Sequence, residues 1–135
     1  MRGRDLGESA GALLILLSLL QVKHMFADFF WQNEFMLGDR DKYIHPGRMV
    51  HAGIHAVASF IAFVIMGASF AFVLVLVLAE WVVHYHIDFW KGRYTAKNDL
   101  TPADASFWRA TGVDQALHQF TYIAMILAWF ATLPT

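Results

Sequence analysis

Glu80-Trp-Val-Val-His84-Tyr-His-Ile-Asp88 closes an apolar run that starts at Phe70, and how these nine residues are read decides the fold. Residues 70–79 carry no ionisable side chain, and then Glu80, His84 and Asp88 follow at intervals of four. That interval stacks side chains on one face of a helix. In hydrocarbon such groups are expensive, ~2.5 to 3.5 kcal/mol for an Asp on insertion-based scales, so the stripe belongs against protein and not against lipid. Three more apolar segments carry the same interval: His24 and Asp28, His51 and His55, Asp114 and His118. Four membrane helices, each with one polar stripe, predict an all-α integral membrane four-helix bundle whose nine ionisable residues share an interior, the way helix bundles hold metal ions.

Composition supports a membrane protein. Hydrophobic residues make up 58% of the chain and charged residues 16%, richer in apolar side chains than a soluble domain of this length. The formal net charge is -1, and no basic stripe points to nucleic acid. With no cysteine, thiolate sites and disulfides are excluded, so a metal ion must be held by imidazole and carboxylate, which favours zinc, manganese or iron.

The predicted helices run over about 9–35, 48–66, 70–91 and 114–133, in a single transmembrane domain covering residues 1–135. The shortest is roughly 28 Å long at 1.5 Å per residue, enough to cross a bilayer core with little tilt. Residues 10–22 follow two arginines like a signal peptide, but the apolar run continues to Trp31 without a small-residue cleavage site and is kept as a helix. The tight connection 67–69 makes a hairpin of the second and third helices, and 38–47 is a polar loop. Thr101-Pro102-Ala103-Asp104 signals a helix start, predicting a short interfacial helix near 102–110 with Phe107 and Trp108 at headgroup level. Arg40, Lys42, Arg48, Lys91, Arg93, Lys97 and Arg109 flank one side, against Arg2 and Arg4 on the other. The excess puts the loops in the cytoplasm and both termini outside.

Counted inward from the outer helix ends, His24, His51, His84 and His118 share a layer about 21 to 23 Å deep. Asp28, Asp88 and Asp114 fall about one turn nearer the cytoplasm, and His55 and Glu80 about one turn deeper. The chain also repeats: His24-Met-Phe-Ala-Asp28-Phe29 returns as His84-Tyr-His-Ile-Asp88-Phe89 at an offset of 60, and His51/His55 returns as Asp114/His118 at an offset of 63. Two helical hairpins are thereby expected to be related by an axis along the membrane normal.

Neighbouring polar residues have plainer readings beside the functional one. Asp114 follows Thr111-Gly112-Val113 and also fits a cap of the fourth helix. Gln32, Gln115 and Gln119 fit groups that orient a ligand, or polar residues at helix ends. His86 falls on another face from His84, His45 is expected in a solvated loop, and Lys23 and Lys91 are expected to snorkel along their helices.

His24-x-x-x-Asp28-Phe29-x-x-Gln32, the His51/His55 pair, Glu80 with His84-x-x-x-Asp88-x-x-Lys91, and Asp114-Gln115-x-x-His118 together resemble a bacterial family of small membrane proteins catalogued as domain of unknown function 3307. The resemblance covers about 20–120 and implies a bacterial inner-membrane protein without supplying an activity. In spacing alone, the His-x-x-x-Asp elements are similar to those that bind zinc on the helices of bacterial zinc-dependent phospholipases C and related nucleases. A looser likeness to membrane-bound metal-dependent hydrolases, by motif, implies hydrolysis.

The expected function is a membrane-embedded metal-binding protein, a metal-dependent hydrolase acting on a lipid phosphate ester at the cytoplasmic leaflet. His24, Asp28, His51, His55, His84, Asp88, Asp114 and His118 are the expected ligands of one or two divalent ions, zinc first and manganese or iron next. Glu80 is a further ligand or the general base. Two other classes stay open: a divalent cation or proton transporter using the same residues as a relay, and a haem or di-iron redox protein. Transport needs polar groups reaching the far face, and residues 10–22, 56–66 and 70–79 offer almost none. Membrane lipid and a second copy of the chain, as a homodimer, are the expected partners.

Overall fold

The structure is a computed structural model and describes residues 6–133; Arg2 and Arg4, which enter the charge count above, lie outside the described residues. Five helices follow in order: α1 (Leu6–Phe29), α2 (Glu34–Leu37), α3 (Pro46–Ile65), α4 (Phe70–Lys97) and α5 (Ala105–Thr132). The fold is all-helical, with no strand among the described residues. α3 packs on α4, α4 on α5, α5 on α1 and α1 on α3, so the four long helices close a ring, and α2 rests on α3.

Three helices among the described residues are long and apolar enough to cross a membrane: Ser9–Phe29, Pro46–Ile65 and Phe70–Lys97. Four such helices are expected from the sequence. α5 is long enough, but Asp114, Gln115, His118 and Gln119 lower its mean hydropathy. Burial runs opposite to that of a soluble domain. Ile15, Val57, Ile65, Val75, Phe120 and Leu127 are all more than half exposed, whereas histidines and carboxylates are inside. One end of the ring interior is filled by Leu16, Leu20, Phe63, Val73, Tyr122 and Trp129, a packed apolar core.

The helix limits depart from expectation where loops compete for the backbone. α1 ends at Phe29 and not near 35, because the amides of Phe30 and Trp31 both donate to the Phe26 carbonyl, each at 3.0 Å. Asn33 then starts α2, its side chain accepting the Met36 amide at 3.2 Å. α4 runs past 91 to Lys97 and stops where Asp99 takes a φ of 50°. α5 absorbs both the separate interfacial helix expected at 102–110 and the helix expected to begin at 114. It starts at Ala105 and passes through Gly112 unbroken, since one glycine weakens a helix without ending it. Asp104 marks the start: its carboxylate accepts the Thr101 amide at 2.8 Å and hydroxyl at 2.9 Å, and these bonds hold its pKa below the ordinary value.

The segment between α2 and α3 is pinned across the polar end of the ring. A Cβ on Gly47 would lie 2.0 Å from the Phe35 carbonyl oxygen, and one on Gly92 would lie 2.8 Å from that of Arg40, so both glycines permit close backbone approach. Buried Arg48 donates to the carbonyls of Lys42 at 2.9 Å and Arg40 at 2.6 Å. His45, expected in a solvated loop, is instead buried. Its Nδ1 accepts the Arg48 amide at 2.8 Å and caps α3, while its own amide donates to the Tyr85 hydroxyl at 3.1 Å. The loop folds onto Tyr85 and takes His45 with it.

Candidate metal centre

Below the apolar core, the polar stripes of the four long helices meet around two carboxylates. Asp28 on α1 is the first. Its Oδ1 lies 3.0 Å from His55 Nε2 and 3.3 Å from His51 Nε2, both from α3. Its Oδ2 lies 3.1 Å from His24 Nε2 one turn back on α1, and accepts the Gln115 amide of α5 at 3.2 Å. Asp88 on α4 is the second. Its Oδ2 lies 3.4 Å from His84 Nε2 one turn back and 3.6 Å from His51 Nε2, and its Oδ1 lies 3.3 Å from His118 Nε2 of α5. His51 therefore stands between the two carboxylates. Asp114 joins at the edge, with Oδ1 3.7 Å from His118 Nε2 and Oδ2 accepting from Gln115 at 3.3 Å. It is nine residues inside α5, which removes the cap reading.

All five imidazoles present Nε2 to a carboxylate and stack against one another. The His84 ring centroid is 4.0 Å from that of His55 and 4.1 Å from that of His118. Rings in such contact leave no slot for a porphyrin between them. Asp28, His51, His55 and His84 each offer one ligand atom, all within 4.8 Å of one another, and His84, Asp88 and His118 form a second such group. Either group could hold a metal ion. The donor set fits: imidazole and carboxylate, without sulfur, suit zinc, manganese and ferrous iron. Buried His84 has neither ring nitrogen in a hydrogen bond, and His51 Nδ1 and Asp114 Oδ1 are likewise without a partner. A neutral imidazole has one donor and one acceptor, so a fully buried one with both idle is costly unless something else binds it.

Glu80 does not join either group. Its Oε1 accepts from Lys23 Nζ at 2.7 Å and from Ser59 Oγ at 2.9 Å, on the core side of His55. Lys23, expected to snorkel, is buried and also donates to the His55 carbonyl at 3.2 Å. The reason is the pair itself: a buried carboxylate needs a cation, and Lys23 is the one within reach. Tyr122 sits beside them, its hydroxyl 2.7 Å from His24 Nδ1 and 3.4 Å from His55 Nδ1. Nothing in the sequence distinguishes Tyr122 from other aromatic residues of α5. Gln32 lies 3.3 Å from His51 through Nε2, reaching from the turn after α1, while Gln119 pairs with Gln21 away from the carboxylates. His86 lies on another face as expected, 2.9 Å from the Tyr43 hydroxyl.

A cavity of about 340 Å³ opens onto this site, with Asp28, His51, Asp88 and Asp114 in its wall. Arg40, Arg48 and Lys91 also line it, so basic and acidic side chains share its wall. Arg40 loses solvation here, which lowers its pKa, and the three aspartates oppose that loss.

The model of one family matches residues 15–134, and its description is protein of unknown function (DUF3307). The chain belongs to this family. The matched span takes in all four stripes, so the site described above lies wholly within the family's domain. No curated protein and no solved structure matches the chain.

Proposed function

We propose that this protein is a membrane-embedded metalloenzyme that hydrolyses a phosphate ester of a lipid at the cytoplasmic leaflet. The observation that carries the reading is the pair of His/Asp groups that share His84, a buried ring with neither nitrogen in a hydrogen bond, beside a cavity lined by Asp28, His51, Asp88 and Asp114 together with Arg40, Arg48 and Lys91. Glu80 is neutralised by Lys23, which leaves buried Asp114 and the half-buried Asp28 and Asp88 as negative charge for cations to balance. In this reading Asp28, His51 and His55, with His24 as a further donor beside Asp28, serve one ion and His84, Asp88 and His118 a second, His84 lying within reach of either, with zinc the first choice. Bound there, divalent ions supply Lewis-acid charge to a phosphoryl oxygen and an activated water at neutral pH.

The chain's own residues do the rest. Arg40 and Lys91 draw an anionic head into the cavity, and Phe107 and Trp108 narrow its wall against water. Asp114, a residue of the cavity wall whose Oδ1 lies 3.7 Å from His118 Nε2, takes the proton of the attacking water, the role that the sequence offered to Glu80. The membrane arrangement belongs to the same proposal: a single transmembrane domain in the inner membrane, built as a four-helix bundle of two repeated hairpins (α1 with α3, α4 with α5). α5 is its fourth span, and both termini are outside. The packed core of Leu16, Phe63, Val73 and Trp129 beyond Glu80 supports hydrolysis over passage of ions through one copy.

The test is elemental analysis and hydrolysis of lipid phosphate esters on one detergent-purified preparation. Bound metal with hydrolysis is expected, and Asp114→Asn should keep the metal while losing activity by about 10² to 10⁴-fold. Metal-replete protein that cleaves no such ester yet passes divalent ions into liposomes would replace the reading with transport.

A further inference from the structure

Two of the apolar grooves on the outer surface of the molecule differ in one respect. The groove between α3 and α4, about 410 Å³, is lined by residues such as Val57, Phe60, Leu74 and Trp81 and by no charged side chain. The groove between α4 and α5 is larger, about 730 Å³, with Val83, Ile87, Trp90, Val113 and Leu117 in its wall, and it also holds Lys91 and Arg109. Among the described residues neither cation has a carboxylate partner; Lys91 Nζ merely lies 5.8 Å from the Phe107 ring centroid. Lys91 and Asp114 line both this groove and the polar cavity, so the two spaces meet at those side chains.

A space that is apolar along its length, carries Lys91 and Arg109 in its wall, meets a polar chamber at Lys91 and Asp114, and opens on the flank of a membrane-length helix fits an amphipathic anion. We infer that the α4/α5 groove docks one acyl chain of an anionic phospholipid, whose phosphate passes Lys91 into the cavity above Asp88. The inference rests on the lipid-ester reading for what happens next, but docking itself is a matter of binding. Bulk lipid would fill both grooves without regard to headgroup. Charge selectivity is what the free Lys91 and Arg109 add, because an unpaired cation at an interface attracts anionic lipid. The apolar wall supplies chain contact, an advantage that lipid already in the bilayer largely shares.

The experiment is native mass spectrometry of the full-length protein released from micelles containing equal dioleoyl phosphatidic acid and dioleoyl phosphatidylcholine. One phosphatidic acid should be retained in preference by at least about tenfold. Val113→Trp, at a position 61% exposed, fills the groove without touching the core and should remove that retention. Ile61→Trp on the exposed face of α3 should leave it unchanged. Lys91→Gln with Arg109→Gln should equalise the two lipids. As a second measurement on unmodified protein, phosphatidic acid with brominated chains should quench Trp90, read as the difference from Trp90→Phe. Equal retention of both lipids by the wild type, or retention unaffected by Val113→Trp, overturns the inference. Preferential retention with no ester hydrolysis leaves the docking site standing and defeats the enzyme; full hydrolysis by Val113→Trp does the reverse.

Discussion

The Asp28 and Asp88 halves of the centre use the same parts and are finished differently. Each has an aspartate, a histidine one turn back on the same helix, and histidines from the neighbouring helices. Behind Asp28 two of the three second nitrogens are occupied: Tyr122 stands at His24 Nδ1 and His55 Nδ1, and Lys23 with Glu80 stands behind His55, while His51 Nδ1 has no partner. Behind Asp88 no such layer exists for His84, whose Nδ1 has no partner and whose Nε2 faces Asp88 Oδ2 at 3.4 Å without a hydrogen bond. A polar residue holding the far nitrogen fixes a ring's tautomer and aim. The Asp28 half is thus braced at two of its rings by the protein itself, whereas the Asp88 half leaves His84 Nδ1 unpaired. Under the proposed function this division suits an anchoring ion on one side and a working ion on the other.

The largest effect should come from the brace. Lys23→Met leaves the Glu80 carboxylate, 2% exposed, without its cation, and should cost roughly 3 to 5 kcal/mol of stability. Adding Glu80→Gln should recover most of that loss, because the uncompensated charge is gone. Thermal unfolding of both variants in detergent checks this. A double variant no better than the single one would mean that Lys23 works through packing and not through charge.

Next in size is the contrast between the aspartates. Asp28→Asn removes an acceptor shared by three histidines and Gln115, and at ~1.5 to 3 kcal/mol for a hydrogen bond to a charged group it should be clearly destabilising. Asp88→Asn should cost less stability and still remove bound metal, since its half lacks the brace. Equal losses of stability in metal-free protein would erase the distinction between the halves.

Tyr122→Phe sharpens the comparison further. It deletes one hydroxyl behind two Asp28-side histidines and should weaken metal binding by about 10 to 100-fold, the usual size for an outer-shell partner. The loss should fall on the ion that binds more tightly in wild type, as read by stepwise chelator titration. A loss confined to the weaker ion would assign the brace to the wrong half.

How much of this was legible in the sequence follows from which residues break a pattern. Asp28, His55 and Asp88 stood out because a charge in an apolar segment violates the solvent rule of the bilayer, and the four-residue interval gave their face. Eight of the nine residues so marked lie around the two carboxylates, and the ninth, Glu80, lies with Lys23. Lys23 was not legible, since a lone lysine near a helix end snorkels as readily as it pairs, and its partner is 57 positions away. Tyr122 looked like any aromatic in a span. The continuity of α5 was hidden because residues 105–113 are polar enough to read as interface, and the family match, like the sequence, carries no activity.

His45 supplies the smallest and cleanest check. It precedes α3, the helix that carries His51, and its side chain caps that helix by accepting the Arg48 amide. Loss of such a cap costs about 1 kcal/mol, typically between 0.5 and 2. His45→Ala should therefore lower the unfolding temperature slightly, a loss that a solvated loop residue would not produce. Because His51 stands between Asp28 and Asp88, a small loosening of the start of α3 reaches both halves alike. Metal content per chain should stay at the wild-type value, and the ratio of tight to weak binding with it. If His45→Ala strips one ion and spares the other, the helix start belongs to one half of the centre, and the boundary between the halves must be redrawn through α3.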